Sequence, residues 1–257
     1  MNKKIIALML GLTLLCVALA GCGKQSTLDK IEKNNKVVWG TNAYFMPFEI
    51  REGEDVIGVD AEIAAAVAEK LGVELVVEDM EFESLISALE AGTVDFVGAG
   101  MTITDERKEK ADFSTGYWTA VQVVTVAADD ESVLTVGDLS SLVIGVQSGT
   151  TGDFVAEELS NNPDTGIMRY NTVIEAMQDL KNGNIDCVIA DDLPSQAIVS
   201  QTEGLKILDL QPSDKETYAF AVKKGDTELL AVINEVLTEM MESGEIEELV
   251  NKYSLGQ

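Results

Sequence analysis

Two hydrophobic periods alternate along the chain. "KVVWGTN" from Lys36 is a short apolar run of the kind that forms a buried strand, and "DAEIAAAVAEKLG" then switches to helical spacing. Ile63, Val67 and Leu71 share one stripe of that helix, with Asp60 placed to cap its start and Gly72 just past its end. "VELVVEDM" reads as a second strand, "ESLISALEAG" as a helix stopped by Gly92, and "VDFVGAG" as a third strand. The order β-α-β-α-β predicts a largely parallel sheet covered by helices.

The pattern then starts again. "SLVIGVQSGTTGDFVAEELS" reads strand, Gly-rich turn, helix, and "NTVIEAMQDLKNGNIDCVIADD" reads helix, Gly, strand. The junctions "LEAGTVDFVGAG" from Leu89 and "LKNGNIDCVIAD" from Leu180 share L-x-x-G-x-[VI]-D-x-V-x-A at an offset of 91 residues. Two similar α/β lobes are therefore expected, with Gly100 and Asp191 at the two strand ends where ligands of such sheets bind. A final stretch from Thr217 predicts a strand and then helices, with Leu230, Ile233, Leu237 and Met241 on one core-facing stripe.

The first 22 residues do not belong to this pattern. Lys3 and Lys4 precede an apolar run from Ile5 to Ala20, shorter than the ~20 residues of a membrane span. The run ends in Leu19-Ala20-Gly21-Cys22, which resembles a bacterial lipobox: a signal peptide over 1–21, cleavage before Cys22 and lipid on its thiol. Residues 22–35 then read as a polar tether leading into a short helix. Of three cysteines only Cys187 would remain for pairing, so no internal disulfide is expected; its place in "IDCVIA" suits a small core residue.

Charge and composition narrow the chemistry. A net charge of −27 argues against nucleic acid. The absence of histidine removes the usual zinc ligands and the histidine-based triads, and no cofactor or metal is expected. Against 45 acidic residues the chain has only 18 basic ones, yet it places Arg107 three residues after Thr104 in "GAGMTITDERKEKADFSTGYW". If Thr104 caps a helix, the macrodipole disfavours a cation there. A local rule broken with a scarce residue suggests a task for it.

"NAYFMPFE", "VIGVDAEIAAAVAEKLG", "ISALEAGTVDFVGAGMTITDERKEKADFS", "IGVQSGTTG" and "GNIDCVIAD", in that order behind a lipobox, resemble the amino-acid-binding solute-binding proteins of bacterial ABC importers, family 3. The resemblance runs from about Lys36 to Tyr253. It implies an α/β, two-lobed, periplasmic-binding-protein-like fold of type II with two hinge crossovers. Lobe 1 would hold residues 36–118 and 219–257, and lobe 2 residues 119–218. The partners it implies are an amino acid and the membrane permease of the importer. The chain would be a monomer held by its lipid at the outer face of the cytoplasmic membrane, or on the periplasmic side in a two-membrane cell.

Site residues follow position by position. Arg107, in Thr102-Ile103-Thr104-Asp105-Glu106-Arg107, would grip the ligand α-carboxylate, for which guanidinium geometry is suited. Thr102 would give its N–H to that carboxylate and its hydroxyl to the ammonium; Thr151 would add a second N–H from the other lobe. The Gly100 carbonyl and the Asp191 carboxylate would hold the ammonium, Asp191 being preferred to Asp192 because it stands five residues after Asp186. Phe45 and Phe82 would sandwich the side chain. Asn42 and Gln147, neutral where relatives often carry charge, point to a neutral or weakly polar ligand, although Glu49, Glu81 and Glu83 lie close by in sequence. Alternatives on the same fold are an enzyme such as a cyclohexadienyl dehydratase, with Asp191 or Asp192 as general acid, and a sensory ligand-binding domain. Against the last, no signalling segment follows Tyr253.

Overall fold

The computed structural model describes residues 26–254. The signal peptide and Cys22 expected from the sequence lie outside the described residues.

The chain opens with helix α1 (Thr27–Asn34), capped by Ser26 in a reciprocal bond with Asp29. Ile31 of α1 is buried, and Lys30 reaches Asp95 at 2.8 Å. Strand β1 (Lys36–Thr41) follows, then the small antiparallel sheet β2 (Tyr44–Phe45), β3 (Glu49–Glu52) and β4 (Asp55–Ile57). Helix α2 (Val59–Leu71) leads into β5 (Glu74–Asp79), a single 3-10 turn over Phe82–Ser84, α3 (Leu85–Ala91) and β6 (Phe96–Val97). Short helix α4 (Asp105–Lys110), β7 (Ala111–Phe113) and β8 (Trp118–Ala120) end this run.

The second run comprises β9 (Gln122–Ala127), β10 (Ile144–Gln147), α5 (Thr151–Leu159), α6 (Pro163–Gly166) and β11 (Ile167–Tyr170). It continues through α7 (Val173–Lys181), β12 (Cys187–Asp191), α8 (Asp192–Gln201) and β13 (Leu205–Leu208). The chain closes with β14 (Glu216–Tyr218), β15 (Ala221–Lys223), α9 (Thr227–Ser243) and α10 (Glu245–Ser254).

Two five-stranded sheets result, ordered β5-β1-β6-β15-β7 and β11-β10-β12-β9-β13. In each, three parallel strands are followed by one antiparallel strand and then a fifth that pairs antiparallel to it, so the fold is a two-lobed α/β structure with one topology used twice. The repeated sequence junction falls on equivalent strands, β6 beside β1 and β12 beside β10. In chain order β8 leads from the first sheet to the second and β14 leads back, and the two pair antiparallel from Glu216↔Ala120 to Tyr218↔Trp118.

Two local expectations are corrected. Asp60 does not cap α2: Gly58 holds that place at φ +129°, where a Cβ would lie 2.2 Å from the Phe48 carbonyl oxygen. Asp60 sits inside the first turn with its side chain buried. The strand expected over "VDFVGAG" spans only Phe96–Val97. Beyond it the Phe220 ring occupies the side-chain space of Gly98, and Gly100 turns the backbone to φ +53°.

Candidate functional site

The strand ends of both lobes meet at one pocket. Each of the nine ligand-binding positions expected from the sequence lines it: Asn42, Phe45, Phe82, Gly100, Thr102, Arg107, Gln147, Thr151 and Asp191. Glu49, Ala99 and Thr150 complete the lining. Tyr44 is 41% exposed while Phe45 is buried, so Phe45 is the aromatic turned to the pocket. Asp192, Glu81 and Glu83 do not line it.

Arg107 is where local and tertiary chemistry meet. Thr104 caps α4 by accepting from the Arg107 N–H at 3.1 Å. The guanidinium is buried; Nη1 donates to the Thr102 carbonyl at 2.6 Å and Nη2 to the Gly149 carbonyl of the other lobe at 3.0 Å. Its Cζ lies 5.2 Å from the centre of the Phe82 ring. Among the described residues no carboxylate pairs with it within 4.0 Å. Burial lowers its pKa to about 10, against the pull of Glu216 and Asp191. A desolvated guanidinium with unused donors is suited to an incoming carboxylate.

Asp191 faces the pocket from the carboxyl end of β12. Its Oδ1 accepts from the Tyr218 hydroxyl at 2.6 Å, and it too lacks a cationic partner within 4.0 Å. Burial first, and Glu216 second, raise its pKa to about 7. Gly100 shares the pocket lining. A Cβ there would come within 2.6 Å of the Phe45 ring, so glycine lets the aromatic pack on bare backbone.

The far lining joins the lobes through neutral amides. Gln147 Nε2 donates to Asn42 Oδ1 at 2.9 Å and to the Asn171 carbonyl at 2.9 Å, while Asn42 donates to the Met80 carbonyl at 2.8 Å. Thr151 opens α5 just after its cap, Thr150.

Four participants were not assigned from the sequence. Among the described residues Glu49 is fully buried with no donor to either oxygen, and burial plus the facing Asp60 raise its pKa well above the usual range. Asp60 accepts from the Gly100 N–H at 2.9 Å and from the Tyr117 hydroxyl; burial raises it to about 6. The two acids lie against each other behind Gly100. Glu216, from β14, accepts from both Thr102 and Thr151, and Tyr218 holds Asp191. "NAYFMPFE" brings Glu49 near Phe45, whereas nothing periodic marks Glu216.

Residues 37–257 match the bacterial extracellular solute-binding proteins, family 3. The chain belongs to this family. Among curated members, it is 34% identical over 93% of its length to the arginine-binding extracellular protein ArtP of Bacillus subtilis, covering 94% of that protein. Among solved structures it resembles the amino acid ABC transporter substrate-binding protein AbpA of Streptococcus pneumoniae bound to L-arginine. That likeness has a TM-score of 0.82 and 31% identity, covering 87% of this chain and 96% of AbpA. It also resembles AncCDT-1, an ancestral amino-acid-binding protein described as a precursor of cyclohexadienyl dehydratase. There the TM-score is 0.81 at 33% identity, over 89% and 99% of the two chains.

Proposed function

We propose that this chain captures a free L-α-amino acid between its lobes and delivers it to the permease of an ABC importer, without catalysis. One observation carries the reading: a buried cation, Arg107, and a buried carboxylate, Asp191, line one interlobe pocket, and neither is ion-paired. A zwitterion would neutralise both at once. Arg107 with the N–H groups of Thr102 and Thr151 would take the α-carboxylate; Asp191, the Gly100 carbonyl and the Thr102 hydroxyl would take the ammonium. The lobe limits we propose are 36–118 with 219–257 and 119–218, β8 and β14 acting as hinges. Lipidation of Cys22 would hold a monomer at the outer face of the cytoplasmic membrane, or on the periplasmic side in a two-membrane cell.

For the side chain we favour a basic group, arginine first. Asn42 and Gln147 alone would suit a neutral ligand. Glu49, however, adds a buried acid with no donor to the same lining, and the arginine bound by AbpA and named for ArtP agrees with it. Phe45 would offer its face to a guanidinium.

A thermal-shift screen against the twenty amino acids, cystine and ornithine tests this. A ligand at 100 times its Kd stabilises by ~2.7 kcal/mol. Arginine should give the largest shift; no shift with any amino acid, or turnover of a cyclohexadienyl acid, would overturn the reading.

A further inference from the structure

Glu216 stands outside the pocket lining but touches it from behind. Its Oε2 accepts from Thr102 Oγ1 and from Thr151 Oγ1, at 2.6 Å each, one threonine from each lobe. A threonine hydroxyl has one proton and two lone pairs. With both protons committed to Glu216, both hydroxyls face the pocket as acceptors only. The Thr151 oxygen is engaged further, because Gln122 Nε2 donates to it at 3.1 Å. Among the described residues the Thr102 hydroxyl has no second partner, and it is buried in the pocket wall. On the other side Glu216 lines a surface groove with Ser213, Asp214 and Lys215, so its charge is reached by solvent.

We propose that Glu216 is a positioning residue for ligand choice: by taking the Thr102 proton it makes that hydroxyl an obligate acceptor for the ligand's α-ammonium. The inference rests on the amino-acid-binding reading above. It explains why a carboxylate on a hinge strand holds two threonines, one from each lobe. It also predicts discrimination against ligands that keep the α-carboxylate and side chain but lack the amine. An acceptor-only Thr102 has nothing to offer such a ligand, and its lone pairs would be left desolvated. Glutamine at position 216 can present its NH2 to the threonines, which frees the Thr102 proton to point at the ligand and oppose the ammonium.

The test is calorimetric titration of wild type and Glu216→Gln, each with L-arginine and with 5-guanidinopentanoate, its des-amino analogue. Wild type should prefer arginine, and the variant should lose about tenfold of that preference, the size of one charge-assisted hydrogen bond. Glu216→Asp should keep most of the preference. Thr102→Val should lose the preference to the same extent, and adding Glu216→Gln to it should change nothing further. Equal weakening of both ligands by Glu216→Gln would mean a hinge or packing role and would overturn the proposal, as would full additivity with Thr102→Val. Wild type that binds neither compound would overturn the reading of the pocket itself, and the ammonium acceptor with it. Should Glu216→Gln not fold, the Thr102→Val and Glu216→Asp titrations decide alone: an undiminished preference in the first, or a lost one in the second, overturns it.

Discussion

Replacing Arg107 with methionine should separate binding from stability. Methionine keeps an unbranched chain of similar reach and removes the charge. Burial lowers the guanidinium to about 10, which corresponds to ~3 kcal/mol against its charged form in the fold at neutral pH. The substitution removes that penalty where the lobes are closed; where they are open, Arg107 is hydrated and the penalty and the Gly149 bond are both absent. It also removes two hydrogen bonds, to the carbonyls of Thr102 and Gly149, and the stacking on Phe82, each worth ~1 kcal/mol. These terms nearly cancel, so the unliganded variant should melt within about 3 °C of wild type, at about 2–4 °C per kcal/mol for a chain of this size. Binding should behave otherwise, because the ligand carboxylate would be buried without a partner. The expected loss is ~2–5 kcal/mol, about 30-fold to several thousand-fold in Kd. At a ligand concentration of 100 times the wild-type Kd, stabilisation should fall from ~2.7 to under ~1 kcal/mol. Differential scanning calorimetry with and without ligand reads both quantities. A variant that loses several kcal/mol of unliganded stability, or keeps the full ligand shift, would refute the reasoning.

Three further outcomes follow from the same geometry. In the unfolded chain Asp191 and Asp60 ionise as ordinary carboxylates, while in the fold burial holds them at about 7 and about 6. Between about pH 4 and 7 the folded protein therefore binds more protons, so unliganded stability should fall as pH rises through that window. The lowered acids Asp112, Asp138 and Asp179 act in the opposite sense, but only below it. Melting curves of Asp191→Asn should show a shallower decline from pH 5 to 7.5 than wild type; an identical slope would exclude Asp191 as its source. Gly100→Ala should weaken ligand binding at least tenfold, since the added Cβ lands 2.6 Å from the Phe45 ring and the backbone is at φ +53°. A crystal structure with Phe45 unmoved and full affinity would contradict this. Asn42→Ala removes the 2.9 Å interlobe bond from Gln147 and should speed ligand release in stopped-flow, with an unchanged off-rate counting against a closing role for that amide pair.

Much of this was legible because it is local. Gly72, Gly92 and Gly183 sit at positive φ after the helices they were expected to end, since a left-handed residue there satisfies the last carbonyls whatever the rest of the chain does. The repeated Gly-x-[VI]-D junction was legible for the same reason. Asp60 was misread because a residue's capping propensity says nothing about a glycine two places earlier that the Phe48 carbonyl leaves no room to replace. Gly100 and Asp191 were marked by the repeated junction and Arg107 by breaking a helix rule, while the other pocket positions came through the resemblance. Glu49 and Glu216 belong to short strands without usable periodicity, and each matters through a contact more than ten residues away in sequence: Asp60 for one, Thr102 and Thr151 for the other.

The same unpaired charges suggest why closure should wait for ligand. With the lobes together, the protein alone supplies the Gln147–Asn42, Arg107–Gly149 and Asn171–Glu81 contacts and the Glu216 bridge. Against them stands the buried guanidinium, whose charged form loses more by burial than Glu216 and Asp191 return, so desolvating Arg107 opposes the empty closed form. A ligand shifts the equilibrium only by what it contributes to one state over the other. A zwitterion contributes most where Arg107 and Asp191 are both desolvated, which is the closed form. On this argument Arg107→Met, although it cannot bind well, should close more readily when empty. Small-angle scattering should give it a smaller unliganded radius of gyration than wild type, close to that of the liganded wild type. An unliganded variant as expanded as the wild type would show that the buried guanidinium is not what holds the lobes apart.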